Sequence, residues 1–373
     1  MTIQKSIVRF GALALTTALT TFTFESKAAD PWANLSGSQH DTFRVSSTYT
    51  QINTLTNVAS ASGSNIDILA GERVDVTTPE NGVFVVTKVG GAAVRTFIDG
   101  ELNSNGNIIL QDRNGVLIGG NAMIDVNSII TTTGNVDVST LNPAETLGDV
   151  IIDNMGNGVI ENNGTISIKE GGLAAFVAPT VINNGIITGQ ARRIELAGSN
   201  TRTTIDLYGD GLLEIALDET NNEKLEVINS VSGSIDADGG VIHMTTGAAE
   251  DLVNSVINMD GVARAGSATQ VGGKIILGGS KTNHVKVAGS ASVKGDASKK
   301  SIEIASQQKI DVTGTVSAED ADVTITNNAD SFDDQIVIAT GASVTTSNGD
   351  ISIDNNGASG GFIVTDGTVT TSN

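Results

Sequence analysis

The chain has three histidines and no cysteine, so metal or nucleophile chemistry would have to rest on His40, His243, His284 and the carboxylates. His40 falls in an N-terminal segment, His243 inside the alternating run Val241-Ile242-His243-Met244, and His284 beside another such run. None neighbours a second histidine at ligand spacing, which leaves structural roles for all three. Asp236-Ala237-Asp238 and Asp333-Asp334 have the composition of a cation site or a carboxylate pair. A calcium-binding repeat, however, shows Gly-Gly-x-Gly-x-Asp nonapeptides in series, and here there are none, so these acids read as solvated loops. Arg192-Arg193, the one adjacent arginine pair, reads as a solvated turn. Trp32 is the sole tryptophan, and the two tyrosines, Tyr49 and Tyr208, are far apart, so no aromatic platform for sugars is evident. These residues predict no catalytic centre, no metal and no cofactor.

The elements carrying them are unusual in composition. The 373 residues include 43 Gly, 4 Pro and only 3 % aromatics, with 39 % hydrophobic residues and a net charge of -21. A core exists, and small and β-branched side chains must fill it. The acidic excess repels phosphate backbones and anionic lipid, which excludes nucleic acid as a partner. At the start, Lys5 and Arg9 precede the mostly apolar stretch from Phe10 to Phe24, and Ser26-Lys27-Ala28-Ala29 offers a small-residue cleavage site. Residues 1–29 are therefore expected to be a secretory signal cleaved after Ala28 or Ala29. Repeated threonines interrupt the stretch, which is too short to span a bilayer, so no transmembrane anchor is expected. Without cysteine, an exported chain has no disulfides and must be stabilised by packing.

From about Asn65 the pattern is period two: Ile66-Asp67-Ile68, Val74-Asp75-Val76, Ile166-Ser167-Ile168, Ile302-Glu303-Ile304 and Ile351-Ser352-Ile353 alternate apolar and polar. No helical stripe competes with it. Glycines heading short apolar runs fall at Gly164, Gly185, Gly233, Gly261, Gly289, Gly314, Gly341 and Gly367, with a first gap of 21, then 48, then gaps of 25 to 28. The gap of 48 reads as two units. Units so short, each with several strands, cannot bury their own apolar faces and must stack into a solenoid. The fold class is all-β: a right-handed single-stranded parallel β-helix of about twelve coils with a small N-terminal β cap, on the order of 60 Å long at the ladder spacing of stacked strands. Asn162-Asn163-Gly164 and Asn183-Asn184-Gly185 recur one coil apart, at corners where asparagine tolerates a left-handed turn and stacked amides can bond between coils.

Residues 64–138 are more specific. Gly100-Glu101-Leu102-Asn103-Ser104-Asn105-Gly106 leads into Asp112-Arg113-Asn114-Gly115, then Ala122-Met123-Ile124-Asp125-Val126. Further on come Gly171-Gly172-Leu173-Ala174-Ala175-Phe176-Val177-Ala178-Pro179, flanked by the two Asn-Asn-Gly corners, and Ile194-Glu195-Leu196-Ala197-Gly198. This order, covering roughly Ile52 to Ala216, resembles the haemagglutination-activity domain of two-partner secretion, the filamentous haemagglutinin kind. Asp112-Arg113-Asn114-Gly115 stands where that family has Asn-Pro-Asn-Gly, keeping Asn-Gly and losing the proline.

The resemblance implies a secreted or surface adhesin whose N-terminal domain docks an outer-membrane pore-type transporter, with Asp112 to Gly115 as the partner-docking turn, and seeds β-helix folding outside the cell. The organisation expected is a cap over 30–63, a secretion-type β-helix over 64–229 and repeat coils over 230–373, continuing past the given chain. A receptor or glycan ligand is implied but not named. The alternatives are a β-helical polysaccharide lyase or hydrolase, which would need two or more Asp with an Arg or Lys on adjacent coils of one face, and the stem of a larger toxin-delivery or filament protein.

Overall fold

The computed structural model describes residues 31–372 apart from 81, 142–149, 190–192, 206–213, 216–223, 238, 247–254, 267–272, 279–283, 295–300, 329–334 and 357–361. The segment expected to be a secretory signal, with Ala28 and Ala29, and also Arg192, Tyr208, Asp238, Asp333 and Asp334, lie outside the described residues.

Three long sheets form the faces of a prism, with 13, 11 and 10 strands. A coil visits them in turn: Lys309–Val312 lies on the third face, Thr315–Glu319 on the first and Asp322–Asn327 on the second. Gln335–Ile338 then returns to the third face, parallel to Lys309–Val312. The alternation in sequence is what allows this. Even-odd side chains point to opposite sides of a strand, so Ile302, Val323, Ile310, Ile336, Val316 and Val344 all enter one interior and are fully buried. No α-helix occurs among the described residues, only the 3-10 turn Val138–Thr140.

The first face contains one antiparallel pair, His40–Ser46 on Tyr49–Thr54. That strand closes the N-terminal end of the prism. Trp32 fills the end of the core, buried and donating its indole N–H to the Ile66 carbonyl at 2.8 Å. Tyr49–Thr54 and Val58–Gly63, both within 30–63, already pair in parallel with the next coil.

The 48-residue gap is not two coils. Ile186–Gly189 and Ser234–Ala237 pair directly, so a single coil separates Gly185 from Gly233 and the surplus chain leaves the prism. A similar excursion follows Ser128–Thr132. Together the two supply Asn135–Val136, Val150–Asp153, Thr203–Ile205 and Glu214–Ile215, an antiparallel four-stranded sheet. This sheet shares a second apolar core with the outside of the second face, made by Val83, Val85, Ile109, Ile130, Leu173, Ala175 and Val177 with Val150, Ile152 and Ile205. Strands of that face are therefore buried on both sides, as in Leu173–Ala178.

Candidate functional site

The turn Asp112 to Gly115 follows the strand Asn107–Gln111 and is closed by the Gly115 N–H on the Asp112 carbonyl at 2.9 Å. Gly115 has φ +99°, and a Cβ there would collide with the Val159 carbonyl, so glycine is required. Asn114 does not adopt positive φ. The Asp112 carboxylate is 1 % exposed and faces inward. One oxygen accepts the Asn114 backbone N–H at 2.9 Å and its side-chain amide at 3.1 Å. The other accepts the Thr96 N–H at 2.9 Å and hydroxyl at 2.8 Å, and lies 3.4 Å from the Lys88 ammonium, itself 4 % exposed. Only Arg113 stands in solvent, with a hydrogen bond to the Asn154 carbonyl at 2.6 Å, while Asn114 is half-buried.

The corner asparagines form two ladders. Asn162 donates to Asn183 at 2.8 Å, and Asn183 to Asn229 at 2.8 Å, with all three fully buried. Outside them, Asn184 donates to Asn163 at 2.9 Å, beside Glu161, which pairs with Arg95 at 3.0 Å. The ladder explains the recurrence. A left-handed turn does not, because none of Asn162, Asn163, Asn183 and Asn184 has positive φ. Gly164 and Gly185 stack at the same corner, where each glycine carbonyl accepts an N–H from the next coil, as the Gly164 carbonyl does from the Ile186 N–H at 2.9 Å.

The histidines do not converge. His40 packs its ring 5.5 Å from Phe84 under the N-terminal closure. His243 is buried on the outward side of the second face, in register with Glu195, and burial together with the nearby Arg193 and Lys274 charges lowers it to about 4. His284 lies within the strand His284–Val287 and meets Asp311 at 3.0 Å. Arg193 is not in a solvated turn. It begins the strand Arg193–Gly198, buried, with its guanidinium 3.0 Å from Glu195, because the excursion sheet rises beside that face.

Sequence reasoning missed a charged cluster on the third face. Asp260 pairs with Lys286 at 3.0 Å on the next coil, and Asp311 on the coil beyond meets His284 and, at 2.9 Å, Lys309. This has the composition of two Asp with Lys on adjacent coils. Partial burial pushes the Asp311 carboxyl up, but hydrogen bonds from His284 and Lys309 outweigh that and hold it below its ordinary value. A general acid needs the reverse shift. Asp236 is engaged similarly, 3.6 Å from Arg264. Among the described residues no group of three or more His, Asp or Glu could hold a metal ion.

The closed N-terminal end, three parallel faces and outer antiparallel sheet define the class, a parallel β-helix with an antiparallel sheet packed on one face. The chain is similar to the HMW1 secretion domain from Haemophilus influenzae, with 18 % identity, 90 % of this chain and 98 % of that one covered, and a TM-score of 0.56. A filamentous hemagglutinin secretion domain also matches, at 12 % identity over 90 % of this chain and 99 % of that one, with a TM-score of 0.37. No family model matches, and no curated protein matches by sequence. The β-helix expected from the residues is thus the fold found, and the HMW1 secretion domain shares it.

Proposed function

We propose that this chain is the secretion domain, with its first repeat coils, of an exported adhesin-type protein, and that it docks an outer-membrane pore-type transporter and seeds its own folding as it emerges. The supporting observation is the asymmetry of the prism. His40–Ser46 and Trp32 close the N-terminal end, so coils add in one direction only, each new strand bonding to the exposed edge of the last. Such growth draws the chain outward without an energy source in the periplasm. Residues 1–29 serve as the cleaved signal, 30–63 as cap, 64–229 as the secretion-type unit and 230–373 as adhesive stem, placing the product in the medium or on the cell surface. Arg113 and the rim of Asn114 are the part of the Asp112 to Gly115 turn available to the transporter, since Asp112 itself is enclosed. The ligand of the stem is a surface receptor or glycan.

The test is export from a Gram-negative host in the presence and absence of a co-expressed outer-membrane pore-type transporter of two-partner secretion. Extracellular, folded chain is expected only with the pore, and is expected to be lost on deleting Ser64 to Val138. Undiminished export by that deletion overturns the reading.

A further inference from the structure

The buried pair Lys88 and Asp112 belongs to neither the core nor the outer surface. Lys88 ends the strand Val83–Lys88, and Asp112 follows the parallel neighbour Asn107–Gln111, so they meet at one corner of adjacent coils although 24 residues apart. Their charged atoms are 3.4 Å apart and their side chains 4 % and 1 % exposed. Lys88 also donates to the Val94 carbonyl at 2.5 Å, which fixes the ammonium over the carboxylate. Four hydrogen bonds, two on each oxygen, hold that carboxylate still. A third group completes the corner. Asp67 is half-buried, accepts the Phe97 N–H at 2.8 Å, next to the Thr96 N–H taken by Asp112, and interacts electrostatically with both Lys88 and Asp112.

The geometry points to a covalent amide between Lys88 Nζ and Asp112 Cγ, formed in the folded chain with Asp67 as proton carrier. Proton transfer within the enclosed ion pair gives a neutral amine and a carboxylic acid. The amine attacks Cγ, and a tetrahedral centre forms whose Oδ1 is held by the two Asn114 donors. Asp67 takes a proton from the nitrogen and returns it to the departing Oδ2. The Cγ–Oδ2 bond breaks, one water leaves, and Asp67 ends as it began. No oxidant or cofactor enters.

Two features favour the step. It replaces two charges in a dry corner, whose desolvation is costly, by one neutral amide. It also holds the reactants together before reaction, which supplies most of what amide formation lacks in water. Burial raises the Asp67 carboxyl above its ordinary value, opposed by the Phe97 N–H and Lys88, so a protonated form lies closer to hand. In a chain without cysteine the bond would act as the missing staple, tying the second coil to the third near the end where folding starts.

Intact-mass measurement and peptide mapping of the purified wild-type chain decide the matter. The expected mass is lower than the sequence mass by one water, with a branched peptide joining the segments that contain Lys88 and Asp112. Lys88→Arg, Asp112→Ala and Asp67→Asn are each expected at their own full sequence masses, the last while keeping both reactants. Full mass in the wild type, or water loss mapped to any other position, overturns the inference. Because the wild-type spectrum alone suffices, variants that fail to fold do not blunt the test, and export through a pore is not required.

Discussion

The Asn183 side-chain amide donates to Asn229 at 2.8 Å, as Asn162 does to Asn183, although the first pair is 46 residues apart and the second 21. Position in the coil, not distance along the chain, sets the contact. Removing Asn183 leaves buried polar groups of both neighbours unsatisfied, at about 1 to 3 kcal/mol each. Asn183→Ala is therefore expected to lower the urea unfolding free energy by about 2 to 6 kcal/mol, and Asn184→Ala, on the half-buried outer ladder, by under about 1 kcal/mol. Equal losses would show that the inner ladder is not special.

The corner glycines make a steric prediction. A Cβ on Gly289 would run into the carbonyl of Gly261, whereas one on Gly120 meets nothing and that residue has ordinary φ. Backbone cannot step aside as a side-chain end can, so Gly289→Ala should cost at least about 1 to 3 kcal/mol, the range for overpacking. Gly120→Ala should stay within about 0.5 kcal/mol of the parent. Thermal unfolding of the two variants side by side checks the ordering.

The regular coils were legible because a period of two leaves little choice. Ile302-Glu303-Ile304 and Val323-Thr324-Ile325 put their apolar residues inside as their spacing requires. The glycine spacing misled where chain left the prism, since a gap of 48 counts residues and cannot distinguish an extra coil from an excursion. A signal was present all the same. Val83-Phe84-Val85-Val86 and Ile108-Ile109-Leu110 are continuous rather than alternating, as strands covered on both sides must be. Asn229 as third rung, the Asp260 to Asp311 cluster, and the meeting of Asp67, Lys88 and Asp112 were not legible, because each joins residues on different coils whose register depends on the lengths of intervening turns. Asp112 looked like a surface motif for the same reason: its partners Thr96 and Lys88 lie on other strands.

The outer sheet yields a third prediction. Ile130 points away from the main core, yet is 1 % exposed because Val150, Ile152 and their neighbours cover it. Ile130→Ala should then cost about 2 to 5 kcal/mol, as for a core aliphatic, where an uncovered outward residue would cost almost nothing. Hydrogen exchange adds a directional check: amides of Val150–Asp153 should lose protection in the variant before those of the distant strand Lys309–Val312. Simultaneous loss along the whole rod would mean that the outer sheet and the prism unfold as one.

His243 gives the last prediction, in pH. Desolvation first, and the Arg193 and Lys274 charges second, lower it from 6.5 to about 4, so the folded chain holds it neutral. The unfolded chain takes up a proton as pH falls through 6.5, while the folded chain does not until about 4. The stability tied to this residue is thus complete above pH 6.5 and is lost progressively down to about pH 4, a span worth on the order of 3 kcal/mol. Asp75 titrates in a different window. Burial pushes it up, but hydrogen bonds from Arg73, Tyr49 and Asn103 prevail and hold it below 3.8, so its contribution fades only as pH falls below that value. Urea midpoints taken across pH 7 to 4 should fall more steeply for the wild type than for His243→Leu, and the two curves should run parallel below about pH 4. A parallel course throughout would place His243 in contact with solvent, contrary to its burial between Glu195 and Ile276 on the neighbouring coils.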